Sequence, residues 1–313
     1  MEITPLLVFQ VLVVAIGVAF LAIFVTDIIR YKGELKGKSG WVNLSIAGIV
    51  LFFFDTLGIG SYGPFTAWWK ISKAMPDKLI PGTLNVASPV PTVFMTLAYT
   101  TAIEVEVVTL FTLVAASTLG AIIGAGIVSK LPQNVIRFGV GIALVIVVFV
   151  MLAGIFGLMP VGGTAIGLTI PQLIISGLIC SVLGALMTIG VGCYAPIMAL
   201  VFAMGMSPAV AFPIMMGSCA FLIPAAGIRF IRASKKEKRT YHLKASIITN
   251  LVGCIGVAVA VFLITSIPLT ALKWLVCAVL IYTSIMLLRD GIKGRRAEAA
   301  AKQQAKQQAE QQA

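Results

Sequence analysis

Asp55-Thr-Leu-Gly-Ile-Gly-Ser-Tyr-Gly-Pro64 recurs 132 residues later as Met187-Thr-Ile-Gly-Val-Gly-Cys-Tyr-Ala-Pro196. Thr56 matches Thr188, Gly58 matches Gly190, Gly60 matches Gly192, Tyr62 matches Tyr194 and Pro64 matches Pro196. In the same ungapped register Pro76 matches Pro208 and Pro81 matches Pro213. Shared glycines alone carry little weight, because glycine is common in membrane helices. Three prolines, a tyrosine and a threonine in one register carry much more. The chain reads as a tandem duplication.

The two copies sit in an apolar chain. Of 313 residues, 59% are hydrophobic and 11% charged, against about 45–50% and 25% in soluble domains. Polar surface is too scarce to cover such a core in water, which excludes a soluble enzyme, a nucleic-acid binder and a disordered scaffold. Nine apolar runs are long enough to be candidate spans: Leu6–Ile29, Val42–Gly63, Ile80–Ile103, Val107–Ser129, Asn134–Met159, Pro171–Tyr194, Ala209–Ile231, Ala245–Ser266 and Leu269–Leu288. The expected fold is an all-α polytopic membrane protein with eight or nine transmembrane segments. It has a two-fold internal repeat, a broken helix in each half and an extra N-terminal helix. The expected organisation is an N-terminal helix and basic loop over 1–41, repeat one over 42–159, repeat two over 160–290, and a polar, mobile cytoplasmic tail over 291–313.

The net charge of +12 is concentrated, with most Lys and Arg in Arg30–Lys38, Arg229–Lys244 and Arg289 onward. Basic residues in short loops beside apolar segments mark the cytoplasmic face and meet anionic lipid headgroups. The three basic exits are separated by even numbers of spans, so all fall on one face. That places the N-terminus outside and the C-terminus in the cytoplasm of a cell-membrane protein. Lys70, Lys73, Lys78, Lys130 and Arg137 disagree. Either the rule is weak there, or the stretch between Ser61 and Ile80 is not a simple loop between full crossings. Four crossings per copy would give the copies one orientation; an element that enters and returns would invert them. Both remain open at this point.

Cys180, Cys193, Cys219, Cys254 and Cys277 lie in apolar runs without metal-ligand spacing, and the one histidine, His242, is in a basic loop. No metal or other cofactor is expected. Two glycines weaken a helix and a following proline removes a donor and crowds the preceding turn. Freed backbone groups survive in a membrane only against protein or a watered cavity. A broken helix in each half therefore points to a substrate site. Its exposed N–H groups and helix dipole favour an anion. Thr56, Ser61, Tyr62, Thr188 and Tyr194 supply hydroxyls, and Gly58, Gly60, Gly190, Gly192 and Cys193 complete the two breaks. Close helix packing by small residues is the competing reading, and Tyr62 and Tyr194 also suit interfacial anchors. Asn85 and Ser218 occupy nearly equivalent places after the breaks, suited to a cavity or to interhelical bonding. Asp55, replaced by Met187 in the second copy, is a candidate proton-coupling group or an interfacial carboxylate.

Thr188-Ile-Gly-Val-Gly-Cys-Tyr-Ala-Pro196, with Met206-Ser-Pro208, Ala211 and Pro213, resembles the signature of TauE/SafE-type sulfite exporters, the toluene-sulfonate uptake permease family. The resemblance covers roughly residues 10 to 290. It implies movement of a small sulfur-containing or organic anion such as sulfite, sulfonate or sulfoacetate. The expectation is a secondary transporter, not an enzyme. It would work by alternating access and draw on a proton or ion gradient, because the chain has no phosphate-binding loop. Its partners would be the anion, the coupling ion and membrane lipids. The alternatives are a membrane-embedded enzyme acting on a lipid-linked substrate, and a channel or membrane partner of another protein.

Overall fold

The computed structural model describes residues 4–31, 40–76, 79–128, 163–187, 194–234, 239–266 and 268–311, with separate positions between 138 and 156. The helices are α1 (Pro5–Arg30), α2 (Trp41–Thr56), α3 (Tyr62–Ile71), α4 (Ile80–Ala87), α5 (Pro89–Ala102) and α6 (Val107–Val128). They continue as α7 (Ile170–Met187), α8 (Tyr194–Ala203), α9 (Ala211–Ala233), α10 (Leu243–Ser266) and α11 (Leu269–Gln311). Prolines open several of them, as Pro5, Pro81 and Pro89 do, where a missing N–H needs no partner. Among the described residues no strand forms; one isolated bridge joins Ala165 to Met206.

Among the described residues four helical stretches, α1, α7, α9 with its preceding turn, and α10, are long and apolar enough to cross a bilayer. Val18, Ile29, Ile123, Leu178 and Phe262 are each more than half exposed on the outer faces. Lipid, not water, suits such a surface. The chain is an all-α membrane protein.

Helix α9 is the hub, touching α1, α4, α5, α6 and α8. Two pairs flank it. Helix α2 packs along α10 in parallel: Lys244 lies 5.0 Å from the Trp41 ring, Thr249 and Val252 face Gly48, and Gly256 faces the Ile49 carbonyl. Helix α6 packs along α7, also in parallel, with Thr112 and Ala116 at Gly177 and the Ser117 carbonyl at Gly184. Helix α5 runs with α2 and α10, since the Val90 N–H donates to Asn250 Oδ1 at 3.0 Å near the start of α10. Helix α6 follows α5 through a four-residue turn and runs back, so the second pair points opposite to the first. Helix α9 runs with α1, with Gly217 beside Phe9 and Gly227 beside Phe20, and opposes α5, whose Tyr99 near its end meets Phe212 at the start of α9 at 5.1 Å.

Helix α3 does not continue α2. It folds back along it: the Phe65 ring meets Phe52 at 5.4 Å, and Trp68 Nε1 donates to Asn43 Oδ1 at 3.1 Å. The Val42–Gly63 run is thus the outward arm of a hairpin rather than a simple span, which answers the conflict over Lys70 and Lys73. Both lie beyond Trp68, at the end of the molecule that carries Arg30, Arg239 and Lys244. Lys78, Lys130 and Arg137 fall outside the described residues. The second hairpin opens the other way. Residues after α8 lie beside those before α7, with the Ser207 N–H donating to the Ala165 carbonyl at 2.8 Å. Helix α11 runs for 43 residues, so the segment expected as a separate tail from 291 continues the helix. Its Ala, Lys, Gln and Glu residues are strong helix formers.

Candidate functional site

The first hairpin turns at Leu57–Ser61. Helix α2 ends in a Schellman motif: the Gly58 N–H donates to the Asp55 carbonyl at 2.8 Å and the Ile59 N–H to the Phe54 carbonyl at 3.2 Å. Gly58 supplies the left-handed conformation this cap needs, with φ of +89°. The next carbonyl, Thr56, accepts from the Tyr99 hydroxyl at 2.9 Å. Pro64 is not what breaks the helix, contrary to expectation. It is the third residue of α3, in the first turn, where its missing donor costs nothing. Glycine ends one helix and proline sits harmlessly at the start of the next.

Ser61 precedes α3 but does not cap it with its own hydroxyl. Its hydroxyl and backbone N–H are both directed at the Asp55 carboxyl group. Asp55 and Ser61 are buried, so the only carboxylate of the motif sits on the N-terminus of the half-helix. Tyr62 donates to Asn85 Oδ1 at 3.3 Å and has Ser88 in reach; Asn85 Nδ2 in turn donates to the Pro81 carbonyl at 2.9 Å. Two pairs, Asp55 with Ser61 and Tyr62 with Asn85, thus stand side by side at the turn. Tyr62 is half-buried, with its hydroxyl engaged by Asn85.

Two predicted residues do not offer their hydroxyls to it. Thr56 Oγ1 donates to the Phe52 carbonyl at 2.6 Å, and Ser218 Oγ to the Ile214 carbonyl at 2.9 Å. Buried hydroxyls in apolar helices find the carbonyl four residues back when nothing else is near. At Gly58 a Cβ would meet Met198 Cε of α8 and lie 3.2 Å from Met215 Cε of α9, so the turn packs against flexible methionine ends from the second half of the chain. Gly60 differs. Its φ is +86°, and a Cβ there would meet nothing within 4 Å, leaving room beside Asp55 and Ser61.

In the second copy, Tyr194 is buried as the first residue of α8. Thr188, Gly190, Gly192 and Cys193 lie outside the described residues. Sequence reasoning missed Tyr99, Ser88, Cys219 and Met198. A signal for Ser88 was present: Ser88, Thr92, Thr96 and Thr100 recur every four residues and are all buried, a polar stripe running from the end of α4 down one face of α5. Cys219 and Met198 carried no such signal.

Two further features stand at the ends. At the basic end, Arg239 pairs with Asp27 of α1 at 3.3 Å and lies over the rings of Tyr31 and Tyr241, at 4.4 and 4.7 Å. The Tyr241 hydroxyl also bonds Asp27; burial first, then the carboxylate, raises its pKa. At the opposite end an open pocket of about 330 Å³ is lined by Ile103, Glu104, Thr164, Ser207, Val210 and Thr265, among others. Among the described residues no three His, Cys, Asp or Glu side chains converge to hold a metal ion. No family model, curated protein or solved structure matches the chain.

Proposed function

We propose that the chain is a secondary transporter of the cell membrane that carries a small sulfur-containing or organic anion by alternating access. The observation that carries this reading is the return of α3 onto α2, with a buried polar turn wedged against α8 and α9 of the other half. Hairpins opening to opposite ends suit a site reached from each side in turn. In this reading the halves are inverted copies, and α2 corresponds to α7 as α6 does to α10. The seams α2–α10 and α6–α7 are then reciprocal. The end bearing Arg30, Lys70, Lys73, Arg239 and Lys244 faces the cytoplasm, with the N-terminus outside and the C-terminus inside.

The anion class rests on the resemblance to TauE/SafE-type exporters. The turn adds compatible chemistry: the Ser61 N–H and hydroxyl, the Tyr62 and Asn85 side chains, and space beside Gly60. Asp55 is the group that would couple transport to protons. The test is the thermal stability of the purified protein against sulfite, thiosulfate, sulfonates, carboxylates and lipid-like compounds. A bound ligand at about 100 times its Kd should stabilise the fold by about 2.7 kcal/mol. The expected result is a shift with one anion class that disappears in Gly60→Phe. No shift with any anion overturns the proposal, and a shift with lipid-like compounds alone favours the embedded enzyme.

A further inference from the structure

The half-helix end that should receive an anion already holds one. Asp55 reaches across the turn, and the donors nearest to it, the Ser61 N–H and hydroxyl, are those a substrate would need. Resting on the transporter reading, we infer that Asp55 is a built-in competitor of the substrate, and that one anion binds only as one proton enters to neutralise the Asp55 carboxylate. The proton comes from solvent and ends on a carboxyl oxygen of Asp55. The neutral carboxyl group then releases the Ser61 donors to the incoming anion.

Three observations support this. Asp55 and Ser61 are both buried, so an anion brought beside an ionised Asp55 would meet like charge with little water between them, which is strongly unfavourable. Among the described residues, the groups that face Asp55 offer no compensating positive charge. From α3 they are Ser61 and Tyr62, and from α5 Tyr99. Cys219 of α9 faces Tyr62, Asn85 and Ser88 of α4 contribute neutral dipoles, and Met198 of α8 an apolar methyl group. On α10, Lys244 stands at the far end of α2, over Trp41. Finally, the second copy has Met187 where the first has Asp55. Only one half therefore carries the competitor, and each anion binds with one proton rather than two.

The probes are methanesulfonate and thiosulfate, which stay ionised while the protein titrates. In the wild type, affinity should fall by about tenfold for each pH unit above the pKa of Asp55, the slope of one bound proton per anion. Calorimetry in buffers of different ionisation enthalpy should count one proton taken up per anion. Asp55→Asn keeps the shape but has no charge to remove, so its affinity should be flat with pH at the acid-limit value of the wild type. Binding by the wild type with no pH slope and no proton uptake overturns the competitor, as does a wild-type slope in Asp55→Asn. If the variant fails to fold, the wild-type proton count still decides. Absence of binding by either probe at any pH removes both this inference and its sulfur-anion footing. Binding without proton linkage removes this inference alone.

Discussion

A glycine just past the end of one helix turns the chain back toward Ser61, and a proline in the first turn of the next helix leaves that start undisturbed. The basic end has its own single-residue device. His242 precedes α10, and its Nδ1 accepts from the Ala245 N–H at 3.2 Å, a cap that needs the neutral ring. Burial first, then the charge of Lys244, lowers the His242 pKa. The unfolded chain therefore takes up this proton before the folded one does. The contribution of His242 is complete above its ordinary pKa of about 6.5 and declines as pH falls below it. His242→Asn retains a capping acceptor that does not titrate, with caps worth about 1 kcal/mol. Thermal unfolding at successive pH values should show the wild type losing stability relative to this variant only below about pH 6.5. Parallel curves throughout would refute the cap.

At the scale of helices, the two parallel seams are held by backbone approach rather than by large side chains. A Cβ on Gly184 would run into the Ser117 carbonyl, and one on Gly120 into the Ser181 carbonyl, whereas a Cβ on Gly177 would rest in ordinary contact 3.9 Å from Ala116. Gly184→Ala should therefore cost about 1–3 kcal/mol through forced separation of α6 and α7. Gly177→Ala, in the same helix, should be neutral or slightly stabilising. Equal melting temperatures for the two variants would contradict the seam. The first break was legible in the sequence because Gly58 marks a helix end, and the second lies outside the described residues. The direction taken after the first break was not legible, because it depends on which side chains meet, Phe65 on Phe52 and Trp68 against Asn43. Local sequence does not encode those meetings. Nor did the sequence separate Asp55 as a solvated carboxylate from Asp55 as the occupant of a helix terminus, since both need only an acid near a turn.

For the whole molecule, sidedness is the testable quantity. Lys70 and Lys73 looked anomalous when α2 was read as one arm of a crossing; a returning α3 makes them consistent with every other basic cluster described. Ser72 is exposed at that end, and Thr164 is exposed at the other. An impermeant thiol reagent applied to intact cells should modify Thr164→Cys and spare Ser72→Cys until the membrane is opened. Modification of both from outside would overturn the hairpin. The two successive repeats expected from the sequence would not be units that stand alone. Helix α2 belongs to the first and packs on α10 of the second, and α7 belongs to the second and packs on α6 of the first.

That exchange of partners sets a schedule for synthesis. Thr56 and Leu243 are separated by roughly 190 residues, which a ribosome working at about 5–20 residues per second needs on the order of 10–40 s to supply. Through that interval the glycine face of α2, at Gly48, has no α10 to meet. Helix α7, by contrast, emerges after its partner α6 and docks at once. The newborn first half must therefore be held in the membrane unfinished, and a helix made roughly 190 residues later completes the first hairpin made.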